Sequence, residues 1–524
     1  MLIITSAQYV DSELTAELGE LPPTFLPVGN KRLFHHQIAQ FREHKNIILT
    51  LPLGFVPPQQ DLDWLHDNHI TLCFIAPELS LKASLTECLE LNPPDDEQLL
   101  ILHGDTLIFD IDTMVRDQIS VASTDEYYRW AGLTFSAGGT IITERFDARS
   151  PGLVVSGFFS FAHPRLLQQS LTHAETFVDA LNRYSSTQQL AVRHYPQWLD
   201  FGHLHTYFRS KSRITTQRAF NDLSISPRVV SKRSENAAKM RAEHQWFLNI
   251  PQELRLYTPQ ILGYYQDQNS AGYDMEYLYM SALNELAVFG TLPGVVWKKI
   301  ISSCYEFIHA MRGYSGPSCM ADSVNCFYRD KTFQRLDELR DSGIIDITSP
   351  NILNGLKLPS IEQIAHASLN AIPPAKAGDI VISHGDFCFS NILYDFRVQS
   401  VRVIDPRGTL NDRDCSVYGD TRYDVAKLCH SLIGQYDYII SERYRLKNTG
   451  NIYDFDIETD DALSSIGENF FSETETRYSE EEIIPIVLNL FITMLPLHAD
   501  SALRQKALTA NALRLYAQYR EIFQ

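Results

Sequence analysis

Short apolar runs alternating with stretches of helical period organise the first two hundred residues. Leu2-Ile3-Ile4 predicts a buried first strand and Asn46-Ile47-Ile48-Leu49-Thr50-Leu51 a second, with a helix from about Leu33 to Glu43 between them. Thr71 to Ile75 and Leu99 to Leu102 continue the series, and strands alternating with helices predict a parallel α/β sheet. Ligands collect at the carboxyl ends of strands in such sheets. Asp105 stands there, directly after Leu99-Leu100-Ile101-Leu102-His103-Gly104. Polar and basic residues thicken at Arg209-Ser210-Lys211-Ser212-Arg213 and the pattern has restarted by Phe220, which predicts two domains, 1–215 and 216–524.

In the second domain Arg228-Val229-Val230-Ser231-Lys232 alternates like a strand and leads into a helix over about Glu235 to Leu248. Asp274-Met275-Glu276-Tyr277-Leu278 reads as the last strand of a small sheet, and helices follow over about Val295 to Met311 and Ile361 to Leu369. Asn391 to Tyr394 and Val401 to Ile404 predict a hairpin about Asp395-Phe396-Arg397. Gly419 to Leu428 opens a further helix, and the chain beyond about residue 455 reads as helical.

The hairpin carries the chemistry. His384-Gly385-Asp386 precedes its first strand, Asn391 begins that strand, and Asp405 follows the second. A phosphoryl-transfer site needs a carboxylate to orient the attacking hydroxyl and two oxygen ligands to hold Mg²⁺ against nucleotide phosphates. One Asp or Asn near a turn caps a helix or closes a side-chain turn more often than it does chemistry. Three at this spacing, with apolar strands on both sides, point to chemistry.

His384-Gly385-Asp386-x-x-x-x-Asn391 followed by Ile404-Asp405-Pro406-Arg407-Gly408 resembles the aminoglycoside phosphotransferase and choline kinase family, relatives of the protein kinases. The resemblance covers roughly the last 300 residues. It implies an α+β, protein-kinase-like two-lobed fold in which Asp386 is the catalytic carboxylate and Asn391 and Asp405 are metal ligands. Lys232 is then the residue that holds the α/β phosphates, paired with Glu243, for which Glu235 is the neighbouring candidate. Backbone groups of Glu276 and Leu278 would meet the adenine. Asp424 resembles the family aspartate that braces the catalytic loop. No G-x-G-x-x-G loop precedes Arg228, which points toward small-molecule kinases. Lys331 and Arg335 fall where that family shapes its acceptor pocket; at i and i+4 they read as a solvated helix face, with contact to an anionic acceptor as the alternative.

A second resemblance spans about residues 1 to 215. Pro23 to Lys31 is similar to the stretch after the first strand of sugar-phosphate nucleotidyltransferases, and Gly104-Asp105 to their first metal aspartate. Val155-Ser156-Gly157-Phe158-Phe159-Ser160-Phe161 matches their substrate-side strand, and Trp198-Leu199-Asp200-Phe201-Gly202-His203 the segment with the second metal aspartate. This implies a Rossmann-like α/β domain in which Asp105 and Asp200 hold Mg²⁺ between a nucleotide, CTP or UTP, and a sugar phosphate. The chain departs from the family at the glycine-rich loop that cradles the triphosphate. Ser6-Ala7-Gln8-Tyr9-Val10-Asp11-Ser12-Glu13 stands in its place, and Thr24 replaces the family's Lys.

Composition narrows the partners. The 524-residue chain is 44% hydrophobic and 21% charged, with a formal charge of −19, which argues against a nucleic-acid backbone as partner. Met1-Leu2-Ile3-Ile4-Thr5 has no basic region of a signal peptide, and no apolar run approaches the ~20 residues of a membrane span. Eight cysteines without a C-x-x-C pair fit reduced thiols in a cytoplasmic protein. Cys388, inside the catalytic loop, reads as a buried apolar side chain, with a reactive thiol as the alternative. The resulting expectation is an ATP- and Mg²⁺-dependent kinase for a small acceptor, whether a sugar, a sugar phosphate or an amino alcohol. Its fused nucleotidyltransferase-like domain implies activation of a precursor for capsule or other cell-surface polysaccharide. The alternative is a kinase with a catalytically inactive binding or regulatory module.

Overall fold

The computed structural model describes residues 1–94, 98–124, 126, 128–136, 139–145, 152–214, 222–410, 415–473 and 477–524. The chain divides into two compact units, Met1–Ile214 and Thr215–Gln524.

The first unit is built on a nine-stranded sheet. Leu2–Thr5 lies at its centre, parallel to Ile47–Pro52 on one side and Leu99–His103 on the other, and Ile70–Ile75 extends the parallel half. The other half is mostly antiparallel: Gly152–Phe161 pairs with Leu99–His103 and carries Gln118–Thr124 and Gly132–Ser136, while Ala191–His194 runs parallel to Gln118–Thr124. A parallel α/β sheet was expected; among the described residues of 118–161 the strands follow one another without the intervening helices that parallel crossovers need. Apolar runs in Leu2–Thr5 and Leu99–His103 are buried on both faces, as central parallel strands require. This Rossmann-like arrangement delivers Gly104-Asp105 at the end of a central strand. The helix Leu33–Ala39 is shorter than its apolar pattern predicts.

In the second unit a four-stranded antiparallel sheet, ordered Asp222–Ile225, Val229–Ser234, Ala271–Glu276 and Ile261–Gln266, is accompanied by the helix Ala237–Asn249. A larger helical part follows, with the hairpin Ile392–Asp395 and Ser400–Val403 set within it. Together they make a kinase-like two-lobed fold. Trp246 of the helix Ala237–Asn249 is buried, and its indole N–H donates to the Ser383 carbonyl at 2.8 Å, tying the helix to the segment that bears Asp386.

One expectation needs correction. The strands Tyr444–Thr449 and Ile452–Ile457 form a hairpin in a second four-stranded sheet with Asn351–Leu353 and Leu356–Leu358, so helix begins only at Asp461. Alternating burial along Ile452–Ile457 is the strand signature that a helical reading of this region passed over. Glu480–His498, with mean hydropathy 1.4, is long and apolar enough to cross a membrane by length and composition. It is mostly buried within the helical part, packed beside the helices Ile361–Ala371, Thr421–Leu432 and Ala502–Gln518.

Candidate functional site

In the second unit the geometry starts from the strand Val229–Ser234, which places Lys232 beside the helix Ala237–Asn249. Lys232 Nζ lies 2.6 Å from Glu243 Oε2 and 3.0 Å from Asp405 Oδ1. Lys232 and Glu243 are almost fully buried. Tyr273 from the neighbouring strand donates to the same Glu243 oxygen at 2.9 Å. Burial works against the Lys232 charge, but Asp405 and Glu243 raise its pKa. Of the two acids considered as its partner, Glu243 holds this position.

Asp386 sits on a loop fixed from four sides. His384 is buried and its pKa is pushed down to about 4 by burial, so the ring is neutral. With its Nε2–H donating to the Ile404 carbonyl at 3.0 Å, its Nδ1 accepts the Asp386 N–H at 3.3 Å. Asp424, fully buried, accepts the His384 and Gly385 N–H groups at 2.9 and 2.7 Å. Asn391 donates through Nδ2 to the Asp386 carbonyl and to its Oδ2, both at 2.9 Å. Lys427 Nζ closes the set, 2.8 Å from Asp386 Oδ1. Burial pushes the Asp386 carboxyl up, but Lys427, His384 and Asn391 outweigh it and hold the group well below the ordinary carboxylate range. The side chain of Asp386 is still 40% exposed, so a hydroxyl can reach it.

Asp405 follows the hairpin with φ at 57°, a backbone region that few residues other than Gly, Asn and Asp adopt. Asn391 and Asp405 stand at the same open end of the hairpin, where the Ile404 N–H donates to the Asn391 carbonyl at 3.0 Å. With its nitrogen spent on Asp386, Asn391 keeps an amide oxygen, and Asp405 a carboxylate, as metal-capable atoms. Among the described residues no three His, Cys, Asp or Glu side chains gather into a ready-made metal group. At the end of the small sheet the Glu276 N–H is taken by the Gln260 carbonyl at 2.8 Å, and the Leu278 carbonyl accepts from Met280 at 2.9 Å.

Sequence reading missed Lys427. Lys427 had a signal: it lies three residues after Asp424 on the helix Thr421–Leu432, and i, i+3 spacing puts both on one face. Cys388 is buried, and burial and Asp386 push its thiol up to about 12, against a reactive thiolate.

In the first unit Asp105 and Asp200 come together. A Cβ on Gly202 would stand 2.5 Å from Asp105 Oδ2 and 3.4 Å from Asp200 Oδ1, so glycine leaves both carboxylates facing one small gap. Burial and the charge of Asp200 raise the Asp105 pKa to about 6. Asp200 accepts from Thr206 at 2.5 Å and lies 3.0 Å from His203 Nδ1. The His203 ring stacks on Tyr128, centroids 3.9 Å apart. The segment standing where the glycine-rich loop belongs does something else. Asp11 caps the helix Ser12–Leu18, accepting the Leu14 N–H at 2.8 Å, and Thr24 bonds Ser6 Oγ. Arg32 is buried in an ion pair with Asp61 at 3.2 Å.

Residues 206–444 match the model of the family described as Phosphotransferase enzyme family. No curated protein matches the chain in sequence. Among solved structures, a UDP-glucose pyrophosphorylase complexed with UDP-glucose aligns with 40% of this chain and 97% of its own at 12% identity and a TM-score of 0.32. HddC from Yersinia pseudotuberculosis aligns with 41% and 98% at 14% identity and a TM-score of 0.31. A thermostable mutant of the aminoglycoside phosphotransferase APH(4)-Ia, in ternary complex with AMP-PNP and hygromycin B, aligns with 58% and 93% at 13% identity and a TM-score of 0.36.

Proposed function

We propose that the second unit transfers the γ-phosphoryl group of ATP to a hydroxyl of a small acceptor, with Asp386 orienting that hydroxyl, a reading supported by the phosphotransferase family match over residues 206–444. The observation that carries this reading is the joint placement of Lys232, Glu243 and Asp405 in one ion-pair chain, with Asp386 and Asn391 on the adjoining loop. Lys232, held charged by two carboxylates, meets the α/β phosphates. Glu276 and Leu278 offer backbone groups to the adenine. Asp405 and Asn391 would hold Mg²⁺, which would supply neutralisation of charge on the transferred phosphoryl group.

In the reaction the acceptor oxygen forms a bond to the γ-phosphorus as the bond to the β–γ bridging oxygen breaks. ADP departs with that oxygen, and the hydroxyl proton passes toward Asp386 and solvent. Because Lys427 holds Asp386 ionised, the carboxylate serves first to position the hydroxyl and only weakly to take its proton. The first unit, through Asp105 and Asp200, binds a divalent cation with a sugar phosphate or a CTP- or UTP-derived ligand. The pair of units then fits a place in the activation of precursors for cell-surface polysaccharide. Asp386→Ala and Asp405→Ala in the full chain are each expected to lower acceptor-dependent ATP consumption by about 10²-fold or more. Wild-type rates in either variant would overturn the assignment.

A further inference from the structure

Lys232 and Tyr273 stand opposite one another in the register of the strands Val229–Ser234 and Ala271–Glu276. Opposed residues of an antiparallel pair point to the same face of the sheet, and here that face looks onto the helix Ala237–Asn249. Both side chains meet one atom: Glu243 Oε2 lies 2.6 Å from Lys232 Nζ and accepts the Tyr273 hydroxyl at 2.9 Å. The second carboxylate oxygen, Oε1, has a cation only at 3.8 Å, the half-exposed ammonium of Lys239 one turn earlier on the same helix. Tyr273 is completely buried, its ring 6.2 Å from that of Phe247 and 6.3 Å from that of His244, both on that helix. Burial, then the charges of Glu243 and Asp405, push the phenol well above its ordinary pKa, so through the neutral range it is a donor.

ATP binding asks Lys232 to share its three N–H donors between Glu243 and the nucleotide phosphates. Burial already raises the Glu243 carboxyl pKa against the pull of Lys232, and a buried carboxylate left short of donors is costly. The Tyr273 hydroxyl supplies a donor that does not travel with the Lys232 side chain. It comes from a strand paired on both sides, with Val229–Ser234 and with Ile261–Gln266, so its position is set by the sheet rather than by a long flexible side chain. A hydrogen bond from that strand to the helix fixes where the Glu243 carboxylate stands, and the carboxylate in turn fixes the Lys232 ammonium.

We propose that Tyr273 is a positioning residue for ATP: its hydroxyl holds the Glu243 carboxylate, and through it Lys232, in the place from which the ammonium meets the nucleotide phosphates. The inference rests on the kinase reading of the second unit and deepens it by adding a third member, from the adjacent strand, to the pair of Lys232 and Glu243. Loss of the hydroxyl then falls on nucleotide binding more than on the acceptor side, because Asp386 is held by His384, Asn391 and Lys427 instead.

Calorimetry with AMP-PNP and Mg²⁺ on the full chain tests this in a cycle of four proteins: the unaltered chain, Tyr273→Phe, Lys232→Met and the two changes together. Tyr273→Phe keeps the ring and removes only the donor, and it is expected to raise the Kd for AMP-PNP about three- to tenfold. Lys232→Met is expected to raise it about tenfold or more. Adding Tyr273→Phe to Lys232→Met is expected to change it by less than about twofold, since the path through Lys232 is then already broken. Tyr273→para-aminophenylalanine, which restores a donor at the same place, is expected to recover most of the affinity. Should Tyr273→Phe fail to fold, Tyr273→para-fluorophenylalanine fills the volume of the hydroxyl without its proton and makes the same measurement. Unchanged affinity on loss of the donor, or a penalty that persists undiminished in the Lys232→Met background, overturns the proposal. The kinase reading fails on a different result, AMP-PNP binding that Lys232→Met leaves unaltered.

Discussion

Lys427 Nζ stands 2.8 Å from Asp386 Oδ1 and holds that carboxyl below its ordinary pKa against the pull of burial. With the folded pKa depressed, Asp386 stays ionised through the whole neutral and mildly acidic range. The acceptor-dependent rate is therefore expected to show no acid limb from this group between about pH 5 and 7. Lys427→Met removes the ammonium and leaves burial dominant, which raises the Asp386 pKa. The acid limb then moves up into that range, so kcat/KM falls on acidification in the variant and not in the wild type. Parallel pH profiles for the two proteins would show Lys427 to be without electrostatic effect on Asp386.

Gly408 connects the loop after Asp405 to the helix that carries Glu243. A Cβ there would come 2.2 Å from the Ala242 carbonyl oxygen and 3.0 Å from the Glu243 nitrogen, and φ is +67°. Gly408→Ala thus meets rigid backbone and an unfavourable dihedral together. Such overpacking costs about 1–3 kcal/mol, and relief by a shift of the helix would draw Glu243 from Lys232. A lowered Tm with a raised KM for ATP is expected. A variant equal to wild type in both would mean that helix and loop do not approach so closely.

Asp424 does structural work for the catalytic loop. Its two oxygens accept the adjacent His384 and Gly385 N–H groups. Asp424→Ala leaves two buried donors unpaired, at a cost of about 1–3 kcal/mol each, and frees the loop that carries Asp386. Loss of kcat with a fall in Tm is expected, while Asp424→Asn, which keeps one acceptor oxygen, falls between. Thermal denaturation alongside ATP turnover separates this from a chemical role, since a chemical role would reduce turnover with Tm unchanged.

Much of this was legible in the chain because the chemistry lies in local sequence. Asp386, Asn391 and Asp405 are bound to one hairpin, so their spacing alone brings them near one another. The central strands of the first unit were legible for a different reason: buried parallel strands such as Leu2–Thr5 and Leu99–His103 are continuous apolar runs. What stayed hidden depends on distant pairing. The antiparallel half of the first sheet is decided by which strand Gly152–Phe161 meets. The hairpin Tyr444–Thr449 with Ile452–Ile457 gains its sheet by pairing with Asn351–Leu353, about a hundred residues away. The ion pair that holds Asp386 joins its loop to Lys427 on the separate helix Thr421–Leu432, and no single window of sequence shows the two as partners.

The first unit poses a contest between the metal-capable pair and the missing phosphate cradle. Asp105 and Asp200 face one gap guarded by Gly202, and a divalent cation between them would offset their mutual repulsion. The helix Ser12–Leu18 cannot offer its N-terminal N–H groups freely to a triphosphate, because the Asp11 carboxylate already occupies that end. Loss of several charge-assisted hydrogen bonds, each worth about 1.5–3 kcal/mol, removes many orders of magnitude from triphosphate affinity or rate. Mg²⁺-dependent binding of a sugar phosphate or nucleotide sugar is therefore expected to persist while pyrophosphate release stays slow. The clean measurement uses the full chain carrying Asp405→Ala, which silences metal binding at the kinase site, titrated with CTP, UTP and UDP-glucose with and without Mg²⁺. Adding Asp105→Asn or Asp200→Asn is expected to weaken the Mg²⁺-dependent component by about tenfold or more. Gly202→Ala, whose Cβ would press on Asp105 Oδ2, should weaken it as well. Brisk pyrophosphate release from CTP or UTP in that background would show that the triphosphate finds another cradle, whereas no Mg²⁺-dependent binding at all would leave the aspartate pair without a ligand.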